Sequence, residues 1–389
     1  MMFGWIFDAF FWLVMPIAIL EASRIARLEL KQQRRTLRGA LAYGGAELVI
    51  LALCAATASP VVFAILLALR FVVVSRREGR IWDRRIFKSA FLIATLVCVV
   101  SIGGVTDFRQ LSVNELMPAA RHLILALMGA SCVLAVVPVR ISDEPKETLV
   151  APPPLIAFTR IALPLGYYEP WFAVVVPIVA ACLSVVCALW LMSAGSRANQ
   201  FERSTLVSEI LVCERGVLLS FVWMGLASGV DLAEVGGLFY WWSGALALVA
   251  LEASLRRSPL PKPTAFFALA MAVSLPGTIG FVAEDLLANG LLELRPFLTA
   301  VFMGVTAINA AALYLALVNM IVDLRDEFPP HLPQPKEARP SFMMLSAAGL
   351  ALVIGVAPGP FVDLATRAHT AVVHHAPHPI EPLIPVVPR

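Results

Sequence analysis

Apolar windows of about 17 to 25 residues, long enough to cross a hydrocarbon core of roughly 30 Å, recur along this chain from one end to the other. They predict helices near residues 3–20, 40–57, 60–75, 87–105, 118–138, 151–168, 170–194, 206–229, 235–254, 264–289, 297–322 and 341–358. The pattern is that of an all-α, polytopic membrane protein with about twelve transmembrane helices. Composition agrees, since 59% of the 389 residues are hydrophobic, 15% are charged and the mean hydropathy is +0.83, which excludes an ordinary soluble protein. The first segment, with Asp8 and Pro16, lacks a basic start and a small-residue cleavage site, and reads as a retained helix.

Basic residues set the expected orientation, because short cytoplasmic loops collect Lys and Arg. Arg24, Arg27, Lys31, Arg34, Arg35 and Arg38 fill the first loop, and Arg76, Arg77, Arg80, Arg84, Arg85 and Lys88 the third. Arg197, Arg203, Arg256, Arg257 and Lys262 then also fall inside, and Asp107, Glu115, Asp231 and Glu234 outside, with both termini outside. These cations are read as topology and headgroup contacts. The six cysteines lie in or beside apolar spans without metal-ligand spacing, and the segment from His369 through His378 reads as a Pro-rich, irregular tail. The two largest internal loops, 141–150 and 323–340, are expected to contact partner subunits.

Two segments interrupt the helical pattern: Val137-Pro138-Val139-Arg140 followed by Ala151-Pro152-Pro153-Pro154, and Leu275-Pro276-Gly277. Broken helices in two halves of a chain point to inverted repeats, because unwound backbone lines a polar path. The expected organisation is an N-terminal helix and basic loop (1–39), two five-helix units (40–168 and 170–322), a loop and last helix (323–360), and a tail (361–389). Prolines that merely kink or end helices are the alternative.

The second break carries a carboxylate. Leu275-Pro276-Gly277-Thr278-Ile279-Gly280-Phe281-Val282-Ala283-Glu284 resembles the broken helix of the antiporter-like membrane subunits of respiratory complex I, of Mrp-type Na+/H+ antiporters and of membrane-bound hydrogenases. In that family a Pro-Gly break precedes Gly-Phe and then a Glu or Lys on the proton path, and Glu284 holds that position. Gly355-Val356-Ala357-Pro358-Gly359-Pro360 is similar to the end of the family's last span, Ala135–Arg140 with Ala151–Pro154 to a Pro-containing loop and next helix start, and Glu202–Gly216 to the opening of a later span. The resemblance covers residues 40–360. It implies a subunit of an energy-coupling complex in a prokaryotic cytoplasmic (inner) membrane, moving protons or Na+ beside other membrane and peripheral subunits.

Departures from the pattern imply a reduced path. The family's first-half Glu and Lys fall near Leu69 and Val133, which are apolar; a Lys of a later helix is matched by Arg160, and a second-half His by Tyr240. Arg160 keeps a positive charge but cannot relay protons as a Lys can.

Glu284 is the leading candidate, since a membrane carboxylate poised between burial and a nearby cation can take and give a proton. A permanent pairing that fixes helix packing is the other reading. Asp285 follows on an adjacent face. Glu209, Glu214 and Arg215 form a second polar group; the two carboxylates lie about 140° apart around a helix, so one is expected to face a wet cavity. Glu202 and Arg203 read as interface charges. Glu47, in mid-span, could stand in for the missing first-half carboxylate; His122 is expected to snorkel from an outer helix end rather than relay, and Asn309 to hydrogen-bond across helices as structural glue.

The sequence holds no phosphate loop, paired thiols, haem-type His pair or Ser/His/Asp set, so no cofactor and no nucleic-acid role is expected. Three functions remain open: an ion-translocating subunit, a non-pumping scaffold derived from an antiporter, and the membrane partner of an inorganic-carbon uptake system.

Overall fold

The computed structural model describes residues 6–31, 37–78, 84–105, 107–108, 111, 116–137, 152–166, 169–197, 203–256, 262–327 and 342–373. Among them every regular element is helical: α1 (Ala9–Lys31), α2 (Leu37–Ala56), α3 (Pro60–Glu78), α4 (Arg84–Ser101), α5 (Pro118–Val136), α6 (Pro152–Ala157), α7 (Leu163–Gly166), α8 (Phe172–Ser196), α9 (Arg203–Leu226), α10 (Asp231–Leu255), α11 (Lys262–Ala272), α12 (Ile279–Leu294), α13 (Pro296–Glu327), α14 (Phe342–Val356) and α15 (Gly359–Val373). The protein is an integral membrane protein of polytopic, all-α architecture.

Fewer windows pass a strict length and hydropathy test than the twelve expected spans. Among the described residues six helices do, and a seventh if α14 and α15, bent by 88° at Ala357-Pro358, count as one broken span. The physical reasons differ from helix to helix. The expected span 264–289 is split into α11 and α12, and the apolar parts of α3 and α4 are short. Helix α9 carries Glu209, Glu214 and Arg215, but almost every residue from Leu206 to Leu226 is enclosed by protein, Glu214 and Arg215 among them, while Glu209 is half-buried.

Helix α10 is the hub. It is enclosed from Ala233 to Leu255 and packs on α9, α11, α12, α14 and α15, whereas α8 and α13 lean on each other and keep apolar faces outward. Glycines set the close approaches: a Cβ on Gly236 would lie 2.7 Å from the Leu287 backbone nitrogen, and one on Gly290 2.4 Å from that of Ala233. Such backbone proximity is how membrane helices gain dispersion energy where lipid offers no hydrophobic drive.

Two expectations are corrected at the bundle ends. Arg24 is not a loop residue: it is buried within α1 and donates to Glu252 at 2.6 and 3.2 Å, with Glu21 at 3.4 Å and Arg256 at 3.1 Å from Glu252 completing the cluster. The pairing does place the basic ends of α1 and α10 on one side, as the loop parity predicts. His369 is not in an irregular tail but in α15, buried, with its Nε2 against Glu234 in the first turn of α10. Loops 141–150 and 328–340, and Glu202, lie outside the described residues.

Candidate polar path in the second half

Around residues 273–278 the α11–α12 helix unwinds. Pro276 has no N–H to donate, Gly277 adopts φ 89°, and Ser274 adopts φ 54°, a left-handed conformation uncommon for a residue with a Cβ. Thr278 Oγ1 donates to the Leu275 carbonyl at 2.7 Å, satisfying one group freed by the break. Gly355 of α14 closes on the same place, since a Cβ there would lie 2.4 Å from the Gly277 oxygen. The predicted first-half break takes another form. Pro152, Pro153 and Pro154 start α6, as prolines can in a first helical turn, and a π-helical turn over Phe158–Ala162 follows, carrying Arg160.

Glu284 stands in the second turn of α12, half-buried, and its Oε1 accepts from the Tyr240 hydroxyl at 3.3 Å. The Ser274 hydroxyl at the break lies within hydrogen-bonding reach of both side chains. Tyr240 is buried on α10, its ring edge-on to Phe221 (5.4 Å) and Phe302 (6.2 Å). Tyr240 is also within electrostatic reach of Glu214 of α9. Glu214 is fully buried and its Oε2 accepts from Asn309 Nδ2 of α13 at 2.9 Å. Glu209 is half-buried on the same helix, nearer the basic end, and Asp285 is exposed, accepting from Asn289 at 3.0 Å. Glu284 with Tyr240 and Glu214 with Asn309 are thus two hydrogen-bonded pairs within electrostatic reach of one another in an otherwise apolar bundle.

The other predicted residues are not drawn into that line. Glu47 pairs with Arg70 of α3, Nε to Oε1 at 2.7 Å and Nη2 to Oε1 at 2.6 Å. Arg160 holds Asp8 with both terminal nitrogens, at 2.6 and 3.0 Å, donates to the Ala55 carbonyl at 3.2 Å, and lies 4.9 Å from the Phe10 ring centroid. A guanidinium so engaged is a fastener. His122 does not snorkel alone: it meets Glu169 at 3.0 Å, and Arg121 bonds the other oxygen of that carboxylate. Sequence reasoning passed over Asp8, Arg70, Glu169 and Glu252 as partners; the available signal was a charged residue inside an apolar window, which each of Arg70 and Glu252 displays. Asp231, Glu234 and His369 also converge, with potential ligand atoms within 4.8 Å of one another.

Comparison with solved structures gives the fold a context. No protein-family model matches the chain, and no curated protein matches it in sequence. A chain of respiratory complex I from Thermus thermophilus superposes with a TM-score of 0.63 at 18% identity, covering 95% of this chain and 84% of that one. A chain of the Mrp complex from Dietzia sp. gives 0.62 at 15% identity, covering 94% and 84%. A chain of the membrane-bound sulfane sulfur reductase, an archaeal respiratory membrane complex, gives 0.56 at 15% identity, covering 86% and 76%. The fold is that of the antiporter-like membrane subunits the break motif resembles.

Proposed function

We propose that this chain is an integral subunit of a multi-subunit, ion-translocating membrane complex and that it carries protons through its second half, residues 170–322. The observation that supports this most directly is Tyr240, bonded to Glu284 at the helix break and within electrostatic reach of Glu214. A hydroxyl between two acids can hand a proton from one to the other by donating on one side and accepting on the other. Glu209 extends the line towards the basic, cytoplasmic end. The three superposed chains come from an Mrp complex and two respiratory complexes, which supports partner subunits and a prokaryotic cytoplasmic membrane. The two halves are proposed to be inverted repeats of which only the second keeps a path.

In the first half, Glu47 and Arg160 are locked in ion pairs with Arg70 and Asp8, which favours a packing role there and supports the second reading, a subunit whose pumping is reduced to scaffolding. The deciding experiment is Glu284→Gln in the assembled complex, reconstituted in vesicles with a pH-sensitive dye. Loss of proton uptake with the complex intact is expected. Unchanged uptake removes Glu284 from the path and leaves the scaffold reading.

A further inference from the structure

Glu214 and Asn309 share one hydrogen bond, and each is left with one buried oxygen that receives none: Oε1 of Glu214 and Oδ1 of Asn309. Glu214 has no exposed surface and Asn309 is 5% exposed, so bulk water does not satisfy these atoms. An anion at this depth with a single neutral donor is strongly disfavoured, because a carboxylate has about four acceptor positions to fill and burial removes its hydration. Arg215 is next along α9, but adjacent helical positions point about 100° apart. Among the described residues, the other ionisable groups in electrostatic contact with Glu214 are Cys213 on its own helix and Tyr240 of α10, neither of them a cation.

One added proton resolves both vacancies. Placed on Oε1, it turns the first orphan acceptor into a donor and supplies the second with the hydrogen it lacks, giving O–H···Oδ1 beside the existing Nδ2–H···Oε2 bond. Such a proton would close an acid–amide ring that uses Oε1, Oε2, Oδ1 and Nδ2. We infer that Glu214 is held as a neutral carboxylic acid closed on the Asn309 amide, a proton-storage site inside the bundle with Asn309 as its positioning residue. This deepens the proposed path by naming the ion at Glu214 as H+: two unpaired oxygens suit one proton, whereas a bare metal cation needs a fuller oxygen shell. Loading transfers a proton from a hydronium ion in water reaching the path, so that its O–H breaks, the Glu214 O–H forms and water is left; unloading breaks the Glu214 O–H, passes the proton to water and returns the carboxylate with a single donor.

Infrared difference spectroscopy of the full protein, purified with the subunits that accompany it, reads this without transport. At neutral pH the parent is expected to show a protonated-carboxyl C=O stretch that disappears in Glu214→Gln and moves to higher frequency in Asn309→Leu, where the ring is open. Glu214→Gln offers the same donor and acceptor as the neutral acid, so it is expected to assemble and to unfold at the parent's temperature. The inference is overturned if the parent and Glu214→Gln differ only in carboxylate bands, if those bands shift with Na+, or if Glu214→Gln fails to assemble. Because occupancy is read at rest, the outcome is independent of whether Glu284→Gln abolishes uptake.

Discussion

Arg70 of α3 reaches Glu47 of α2 with two nitrogens inside the first-half bundle, and the carboxylate side chain keeps only 3% of its surface exposed against 18% for the arginine. The pair is joined electrostatically to Glu21 of α1, which in turn contacts Arg24 and so the Glu252 cluster on α10. Charges that looked isolated along the chain therefore neutralise one another across four helices.

Breaking this pair on one side is expected to be worse than removing it. Arg70→Met leaves a buried carboxylate without its cation, a change that costs about 3–5 kcal/mol, whereas Glu47→Leu combined with Arg70→Met is expected to recover most of that loss. Thermal unfolding of the two purified variants measures it. Equal destabilisation of single and double variants would show that the pair does not act as a unit.

Arg160→Lys keeps the charge but gives up the two-pronged hold on Asp8 and the approach to Phe10. A loss of roughly 1–2 kcal/mol is expected from those contacts. Asp8→Asn should lower the unfolding midpoint comparably, and proton uptake should survive in both, since neither residue lies on the proposed path.

Tyr240→Phe preserves the ring against Phe221 and Phe302 and deletes only the hydroxyl. Stability is expected to change by no more than about 1 kcal/mol, the net worth of one hydrogen bond. Dye-reported proton uptake should fall about tenfold or more, in line with the contribution of a positioned proton-transfer group. Undiminished uptake would place the route elsewhere.

Gly355→Ala tests the seating of α14 on the helix break. The new methyl would meet the Gly277 oxygen at 2.4 Å and the Thr278 carbonyl carbon at 2.5 Å, both backbone atoms that cannot rotate away. About 1–3 kcal/mol of destabilisation is expected from such overpacking. Gly349→Ala on the same helix, where nothing lies within 4 Å, is the control and should leave the midpoint unchanged.

Much of this arrangement is written locally. The Pro276-Gly277 dipeptide and the small residues after it specify the break, and the spacing to Glu284 sets that side chain in the second turn of α12. Apolar windows such as Phe172–Ser196 and Pro296–Met320 are equally plain. What the chain does not reveal locally is which charge meets which. Arg24 and Glu252 are 228 positions apart and Arg160 and Asp8 152, so their pairing depends on how α1 docks, and periodicity carries no information about that. Arg24 reads as a loop cation because five basic residues follow it closely, yet its burial is decided by Glu252. The same holds for Asn309, whose polar amide is visible on α13 while its alignment with Glu214 arises only once α9 and α13 pack.

The enclosure of α10 separates two mechanical jobs. Bilayer thickness acts on helices that touch acyl chains, here α8 and α13, which answer a thicker or thinner membrane by tilting or by distorting the lipid around them. Helix α10, carrying Tyr240 between Glu234 and Glu252 and enclosed from Ala233 to Leu255, is insulated from that strain by a protein sleeve. Acyl-chain length should accordingly tune the outer wall of this subunit while the phenol keeps its register with the acids on either side.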